Sequence, residues 1–174
     1  NVSDWEEFRT AVYNSGLKSV NAVLNADISA TTSIRAFKGV FDGNGHTIEM
    51  SCPMFNSADG YTIKNLHVKG GYGGDQHIAG LVVSSWNANI QSCWVSPSIH
   101  CNTTHAGGFI GHANTTPINI NNCLFDGAIS CKNDGKNDGT SYAGSFIGWS
   151  GDADHHVTNC LDDGNYYYVD HAGF

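Results

Sequence analysis

The sequence predicts an all-β fold, a right-handed single-stranded parallel β-helix closed at its N-terminal end by a short α-helix. Three observations predict it: a pair of short apolar phrases that recurs along the chain, a high glycine content, and one capped amphipathic segment near the start.

The recurring phrases carry most of the inference. Ala79-Gly80-Leu81-Val82, Gly107-Gly108-Phe109-Ile110 and Gly144-Ser145-Phe146-Ile147 share one pattern. Each is followed by a second phrase in which an apolar residue stands three places before a cysteine: Ile90 before Cys93, Ile120 before Cys123, Val157 before Cys160. An earlier relative, Ile63 to Val68, has Leu66 at the cysteine position. Alternation within the strands turns Ile90, Cys93 and Val95 towards a common interior, and the matching residues of other repeats stack upon them. Repeats that cannot bury an apolar face alone become stable by stacking, so loops of unequal length still give one core. Cys93, Cys123 and Cys160, above Leu66, then form a buried ladder of small apolar residues that needs no disulfide. Cys101 and Cys131 follow Ile99 and Ile129 at matching places and make the one candidate disulfide, since strands about 4.8 Å apart fall within the permitted Cα range. Against it stands the parallel direction of ladder neighbours, which disfavours the required torsion. The lack of CxxC pairs argues against structural zinc and thioredoxin-like chemistry.

Composition agrees. The 21 glycines beside only 14% charged residues suit turns and strands better than helix interiors. A length of 174 residues with 40% apolar content predicts one domain. It divides into a cap helix over 1–17, N-terminal coils over 18–76 and later coils over 77–174. The formal charge of −8 repels phosphate backbones and anionic surfaces, which excludes nucleic acid as an expected partner. No apolar run approaches the roughly 18–20 residues that span a bilayer, and no signal pattern opens the chain, so no membrane insertion is expected. The chain starts on Asn1, and His171-Ala172-Gly173-Phe174 repeats the opening of the coil at His105. A longer parent is therefore expected, with further coils or domains at the C-terminus.

Ser3-Asp4-Trp5-Glu6 reads as a capping box, with the serine oxygen and the Glu side chain satisfying free amides at a helix start. The helix should run to about Ser15 with Trp5, Phe8, Ala11 and Val12 on one face and Gly16 as its stop. Lying across the open end of the solenoid, it would block edge-to-edge pairing, with Trp5 as a cap residue. A strand follows from Val20 to Ile28, then a pair within Phe37 to Ile48 around the turn Asp42-Gly43-Asn44-Gly45.

These motifs also carry a resemblance. Asp4-Trp5 with Phe8, then Ala26-Asp27-Ile28, then Phe37 to Ile48 with its Phe-Asp-Gly-Asn-Gly-His-Thr-Ile turn, and later Gly107-Gly108-Phe109-Ile110-Gly111 with Asn121-Asn122-Cys123 resemble the GLUG-repeat-containing, pectin-lyase-like β-helix proteins of bacterial cell surfaces. The likeness extends over nearly the whole chain. It implies the fold and an extracellular or cell-surface location; the recurring residues are turn and core residues and imply no catalytic set. Two departures stand out: Val83 occupies the place of Gly111 and Gly148, and Ser145 replaces a glycine.

Parallel β-helices include polysaccharide lyases and hydrolases, and a glycosidase needs two carboxyl groups at a set separation. Here the acids sit in turns, as in Asp42-Gly43, Asp59-Gly60 and Asp126-Gly127, and none recurs at an outward position of adjacent coils, so no catalytic residue is assigned. Asp134 and Asp138, in the doubled tetrad Lys132 to Gly139, are the candidate metal ligands; no cofactor is expected, calcium being the one cation left open. The tetrad is no EF-hand or β-roll, and its two lysines favour a solvated loop. His77, His105 and His171 share one place, with Tyr142 in the third coil. Ladder neighbours are close enough to chelate a cation, yet the tyrosine interrupts the column and no carboxylate partner stands at fixed spacing, so a structural stack is expected. Trp94 follows inward Cys93 and should face solvent, Trp149 aligns with His112 and Ser84, and Trp86 lies two places past Ser84. Trp86, Trp94, His112 and Trp149 are the candidate ligand-binding residues, because flat aromatic faces stack on sugar rings while polar neighbours bond hydroxyls. The leading expectation is a non-catalytic module of a secreted or surface-anchored bacterial protein in adhesion or carbohydrate binding, its partner a glycan or a host or cell-wall surface. A polysaccharide-active enzyme and a passive spacer are the alternatives.

Overall fold

Alternating burial defines the strands. Phe37, Gly39 and Phe41 point inward from Phe37–Asp42, Ile48 and Met50 from Thr47–Met50, and Ile118 and Ile120 from Ile118–Asn121, with polar residues between them. The computed structural model describes residues 1–75, 77–102, 105–131 and 142–167, with the strand His171–Gly173. Among these residues there is one α-helix, Trp5–Asn14, and the regular structure is otherwise β, with every strand pairing parallel.

The strands form three sheets, and each repeat adds a rung to the one before. In the first, Val20–Val23, Phe37–Asp42, Phe55–Lys64 and Val82–Gln91 stack in order; Ile110–Ala113 and Ile118–Asn121 both pair with the last of these and are covered by Ile147–Ser150 and His155–Thr158. In the second, Thr47–Met50 leads to His67–Gly74, on which Trp94–Val95 and Ser98–Cys101 build separate columns. The third stacks Ile78–Ala79, His105–Gly107, Tyr142–Gly144 and His171–Gly173. The core lies between the sheets. Phe41, Ile63, Ile90 and Ile120 stand in one register column and are fully buried.

The cysteine ladder is in place. Leu66, Cys93 and Cys123 are buried and Cys160 is half-buried. Each thiol donates to a carbonyl of the preceding repeat, Cys93 to Ile63 at 3.7 Å, Cys123 to Ile90 at 3.9 Å and Cys160 to Ile120 at 3.7 Å. The residue just before each ladder position turns the chain in the left-handed region: Asn65 at φ 52°, Ser92 at 51°, Asn122 at 53° and Asn159 at 51°. Asparagine tolerates this region better than most L-residues, which accounts for its recurrence there. Val157, last in its column above Ile120, is exposed rather than inward. Cys101 and Cys131 stand opposite one another in register, and both are buried.

Glycine is demanded where backbones nearly touch. A Cβ on Gly108 would lie 2.1 Å from the Ser145 carbonyl oxygen and 2.4 Å from the Phe125 ring. A Cβ on Gly111 would lie 2.8 Å from the Ile78 oxygen, and one on Gly148 would lie 2.6 Å from the Ala106 oxygen. Both contacts are made to the third sheet, one repeat earlier. Among the described residues that sheet begins at Ile78–Ala79 and has no earlier strand to pass Val83, so a side chain is accommodated there.

The N-terminal cap differs from expectation in detail. The N-cap is Asp4, whose carboxylate accepts from the Glu7 amide at 2.9 Å, and Glu6 instead pairs with Arg9. The reason is upstream: Val2 bridges to Leu24, holding the chain extended up to Asp4 and moving the helix start one residue on. Trp5, Phe8 and Val12 are buried, Trp5 against Phe55 and Phe8 against Phe37 and Phe41, while Ala11 is exposed. The expected strand from Val20 to Ile28 is two strands, Val20–Val23 and Ile28–Ala30. The chain bends between them, where Asp27 accepts from the Thr47 amide at 2.9 Å.

Gly111→Ala should lower the unfolding free energy by about 1–3 kcal/mol, the usual cost of an overpacked contact. Val83→Ala should cost less, and urea denaturation of the two variants side by side measures the difference.

Candidate functional site

Two groups of outward side chains stand out. The first is a register column on the second sheet, where Thr47, His67, Trp94, Leu124 and Leu161 succeed one another. Trp94 is 44% exposed, so the column presents a flat aromatic surface. Its indole stacks on His67 with centroids 4.0 Å apart and planes inclined by 13°, and its Nε1–H donates to Asp126 Oδ1 at 2.6 Å. His67 is held in turn, with Nε2 2.9 Å from the Ser96 hydroxyl and Nδ1 3.3 Å from that of Thr47. Burial pushes the His67 imidazole below its ordinary value despite the Asp126 carboxylate nearby. A shallow groove of about 630 Å³ runs beside Trp94, lined also by Asn65, Ser92, Asn122, Leu124 and Asn159. The left-handed corner residues thus form one wall and the aromatic column the other.

The second group sits where the first and third sheets meet. Because Gly111 and Gly148 have no side chains, the Ile78 and Ala106 carbonyls approach them closely, and the outward side chains of His105–Gly107 and Ile110–Ala113 converge. His77 and His105 stack with centroids 4.5 Å apart and planes inclined by 11°, their Nδ1 atoms 2.8 Å apart. His112 meets the His77 ring edge-on at 5.2 Å and lies 4.2 Å from Trp149, while Tyr142 packs on His105 at 5.5 Å. One ligand nitrogen from each of His77, His105 and His112 lies within 4.8 Å of the others. Burial first, then the neighbouring imidazoles, push His105 down to about 4; burial and His77 also lower His112. Both rings are therefore neutral near pH 7.

The four ligand candidates read from the sequence do not make one site. His112 and Trp149 come together in register, as their alignment predicts. Trp94 belongs to another sheet, and half-buried Trp86 stands opposite Asp59, outside both ring groups. Asp134 and Asp138 lie outside the described residues. The contribution of His67 and Asp126 to Trp94 was hidden in the sequence, although His67 follows Leu66 as Trp94 follows Cys93. The approach of His112 to the other two imidazoles left no spacing signal.

The turn acids act between repeats. Asp42 accepts from the Asn65 amide at 3.0 Å, Asp59 from Asn87 at 2.8 Å, Asp75 from Asn102, and Asp126 from Trp94. Although partial burial pushes the Asp42 carboxyl up, the Asn65 side chain, the Asn44 amide and the Lys64 ammonium hold it below the ordinary carboxylate range.

Residues 1–92 match the model of a family described as "Putative pectate lyase-like adhesive domain". The chain belongs to that family. In this pectate lyase-like adhesive domain the matched part takes in the cap helix, His67 and His77, and the parallel register continues past it through Trp94, His105 and His112. No curated protein and no solved structure matches the chain. Among the described residues no helix is long and apolar enough to cross a membrane.

An unfolded imidazole titrates near about 6.5, above the value of about 4 for folded His105. Between those values the unfolded chain binds more protons, so the stability contributed by neutral His105 is complete above the upper value and drains away as pH falls towards the lower. Melting temperature in EDTA-containing buffer should therefore fall across that window, and His105→Gln should flatten the fall.

Proposed function

We propose that this adhesive domain is a non-catalytic module of a secreted or surface-anchored bacterial protein, and that it holds a glycan against the column His67, Trp94, Leu124 and Leu161. The observation that carries the reading is the half-exposed Trp94 indole, fixed from behind by His67 and at its edge by Asp126. A fixed aromatic plane loses little freedom on binding, and sugar C–H faces stack on it while hydroxyls meet polar groups such as the Asn122 and Asn159 side chains along the groove. The family description supports adhesion. Engagement of Asp42, Asp59, Asp75 and Asp126 in bonds between repeats favours a structural use of these acids over general acid and base work.

The finer architecture in this reading is a right-handed parallel β-helix of GLUG-like coils. Its support is the parallel pairing of successive repeats and the right-handedness of about 98% of parallel crossovers. An extracellular setting follows from an adhesive role.

The test is a glycan array and cell-wall pull-down with the wild type and Trp94→Ala. Wild-type binding that weakens at least about tenfold, near 1.4 kcal/mol, in a variant with unchanged circular dichroism is the expected result. Absence of wild-type binding, or release of reducing or unsaturated ends from the bound polysaccharide, would overturn it.

A further inference from the structure

We propose that His77, His105 and His112 form a binding site for one divalent transition-metal cation of the zinc class, with the Trp149 indole closing one side. The inference is independent of the glycan reading, which concerns a different sheet.

Three features of the cluster point to a metal. First, its donors are held by paired strands of two sheets: His77 just before Ile78–Ala79 and His105 in His105–Gly107, which pair in the third sheet, and His112 in Ile110–Ala113, which pairs with Val82–Gln91 in the first. Donors on paired strands are positioned before the ligand arrives, which limits the ordering cost of binding. Second, the ligand nitrogens already lie within 4.8 Å of one another. Around a tetrahedral zinc, with Zn–N near 2.0–2.1 Å, ligand nitrogens are separated by about 3.3 Å. The His77 and His105 Nδ1 atoms, 2.8 Å apart, need to spread only slightly, and the broad ring torsion of histidine lets the in-plane lone pairs turn to one point. Third, the donor set is imidazole, which suits zinc, copper and nickel, whereas calcium and magnesium take oxygen ligands.

The proton balance is simple. Without metal, the His77 and His105 Nδ1 atoms lie at hydrogen-bond distance, so one Nδ1–H can donate to the other Nδ1. On coordination through both Nδ1 atoms the donor ring moves its proton to its own Nε2, and no net charge leaves the protein. Three protein ligands leave a fourth position open, the arrangement of zinc sites that keep water or accept an outside donor. Trp149, 4.2 Å from His112 and 5.7 Å from His105, stands close enough to report occupancy by its fluorescence.

The experiment uses the whole chain, stripped with EDTA and dialysed, titrated calorimetrically with ZnCl2, NiCl2 and CaCl2, with a parallel fluorescence titration by NiCl2. Expected are one zinc per chain at micromolar affinity or tighter, nickel-induced quenching, and no calcium binding at millimolar concentration. His112→Ala should weaken zinc at least tenfold while retaining the wild-type circular dichroism; Trp149→Phe should keep zinc binding and lose most of the quenching. Failure to bind zinc below 100 μM, or equal affinity in wild type and His112→Ala, would overturn the proposal. Should His112→Ala fail to fold, His105→Gln with the same zinc titration decides between the outcomes. Loss of metal binding with glycan binding intact, or the reverse, separates this inference from the preceding one.

Discussion

Parallel stacking places each residue over its equivalent in the neighbouring repeat, about 4.8 Å away, and this register imposes its logic on everything else in the molecule. A property needed at one rung is needed at the next. The apolar column Phe41, Ile63, Ile90 and Ile120 is therefore continuous, and so is the sequence of left-handed corners at Asn65, Ser92, Asn122 and Asn159. The thiols of Cys93, Cys123 and Cys160 fit the same logic: small enough for the corner, and able to donate to a carbonyl of the repeat beneath. Such donors are weak, so the sulfur serves chiefly as a compact apolar group.

The register also explains how an acidic chain with few cations holds its turns together. Lysine and arginine number only 8 against 16 aspartates and glutamates, too few to pair every carboxylate. Amide donors on the adjacent repeat take their place, as Asn87 does for Asp59 and Asn102 for Asp75. A charge-assisted hydrogen bond of this kind needs no second charge. It ties loop to loop in the stacking direction, beside backbone bonds between corners such as that from the Gly45 N–H to the Asn65 carbonyl at 2.8 Å.

What was legible in the sequence was whatever repeats along the stack. Cys93, Cys123 and Cys160 announce their column by spacing, and His112 and Trp149 align because the phrases before them align. What was not legible depends on the angle between sheets within one repeat. Seven positions separate His105 from His112, and nothing in that spacing tells that the bend at Gly107-Gly108-Phe109, with bare backbone at Gly111, folds their side chains together. The same limit applies to Asp126 and Trp94, residues of successive repeats joined through a side-chain bond rather than a backbone rung. At the N-terminus the shift of the cap from Ser3 to Asp4 had a long-range cause, the Val2 to Leu24 bridge, which no local capping rule contains.

Inward positions and corners are constrained by the repeats above and below, so a change there must be compensated along the column. Outward positions on the sheets carry no such constraint, because their neighbours in the stack can be any side chains that coexist at ladder distance. Chemistry in this fold is therefore free to vary on the outer faces while the frame persists, consistent with a family match over residues 1–92 and with aromatic and imidazole groups that draw heavily on residues beyond it. His67 and His77 lie within the matched part, and Trp94, His105, His112 and Trp149 lie outside it. Each ring group is thus completed only when a later repeat docks on an earlier one, and the step that buries the core is the step that assembles the surface.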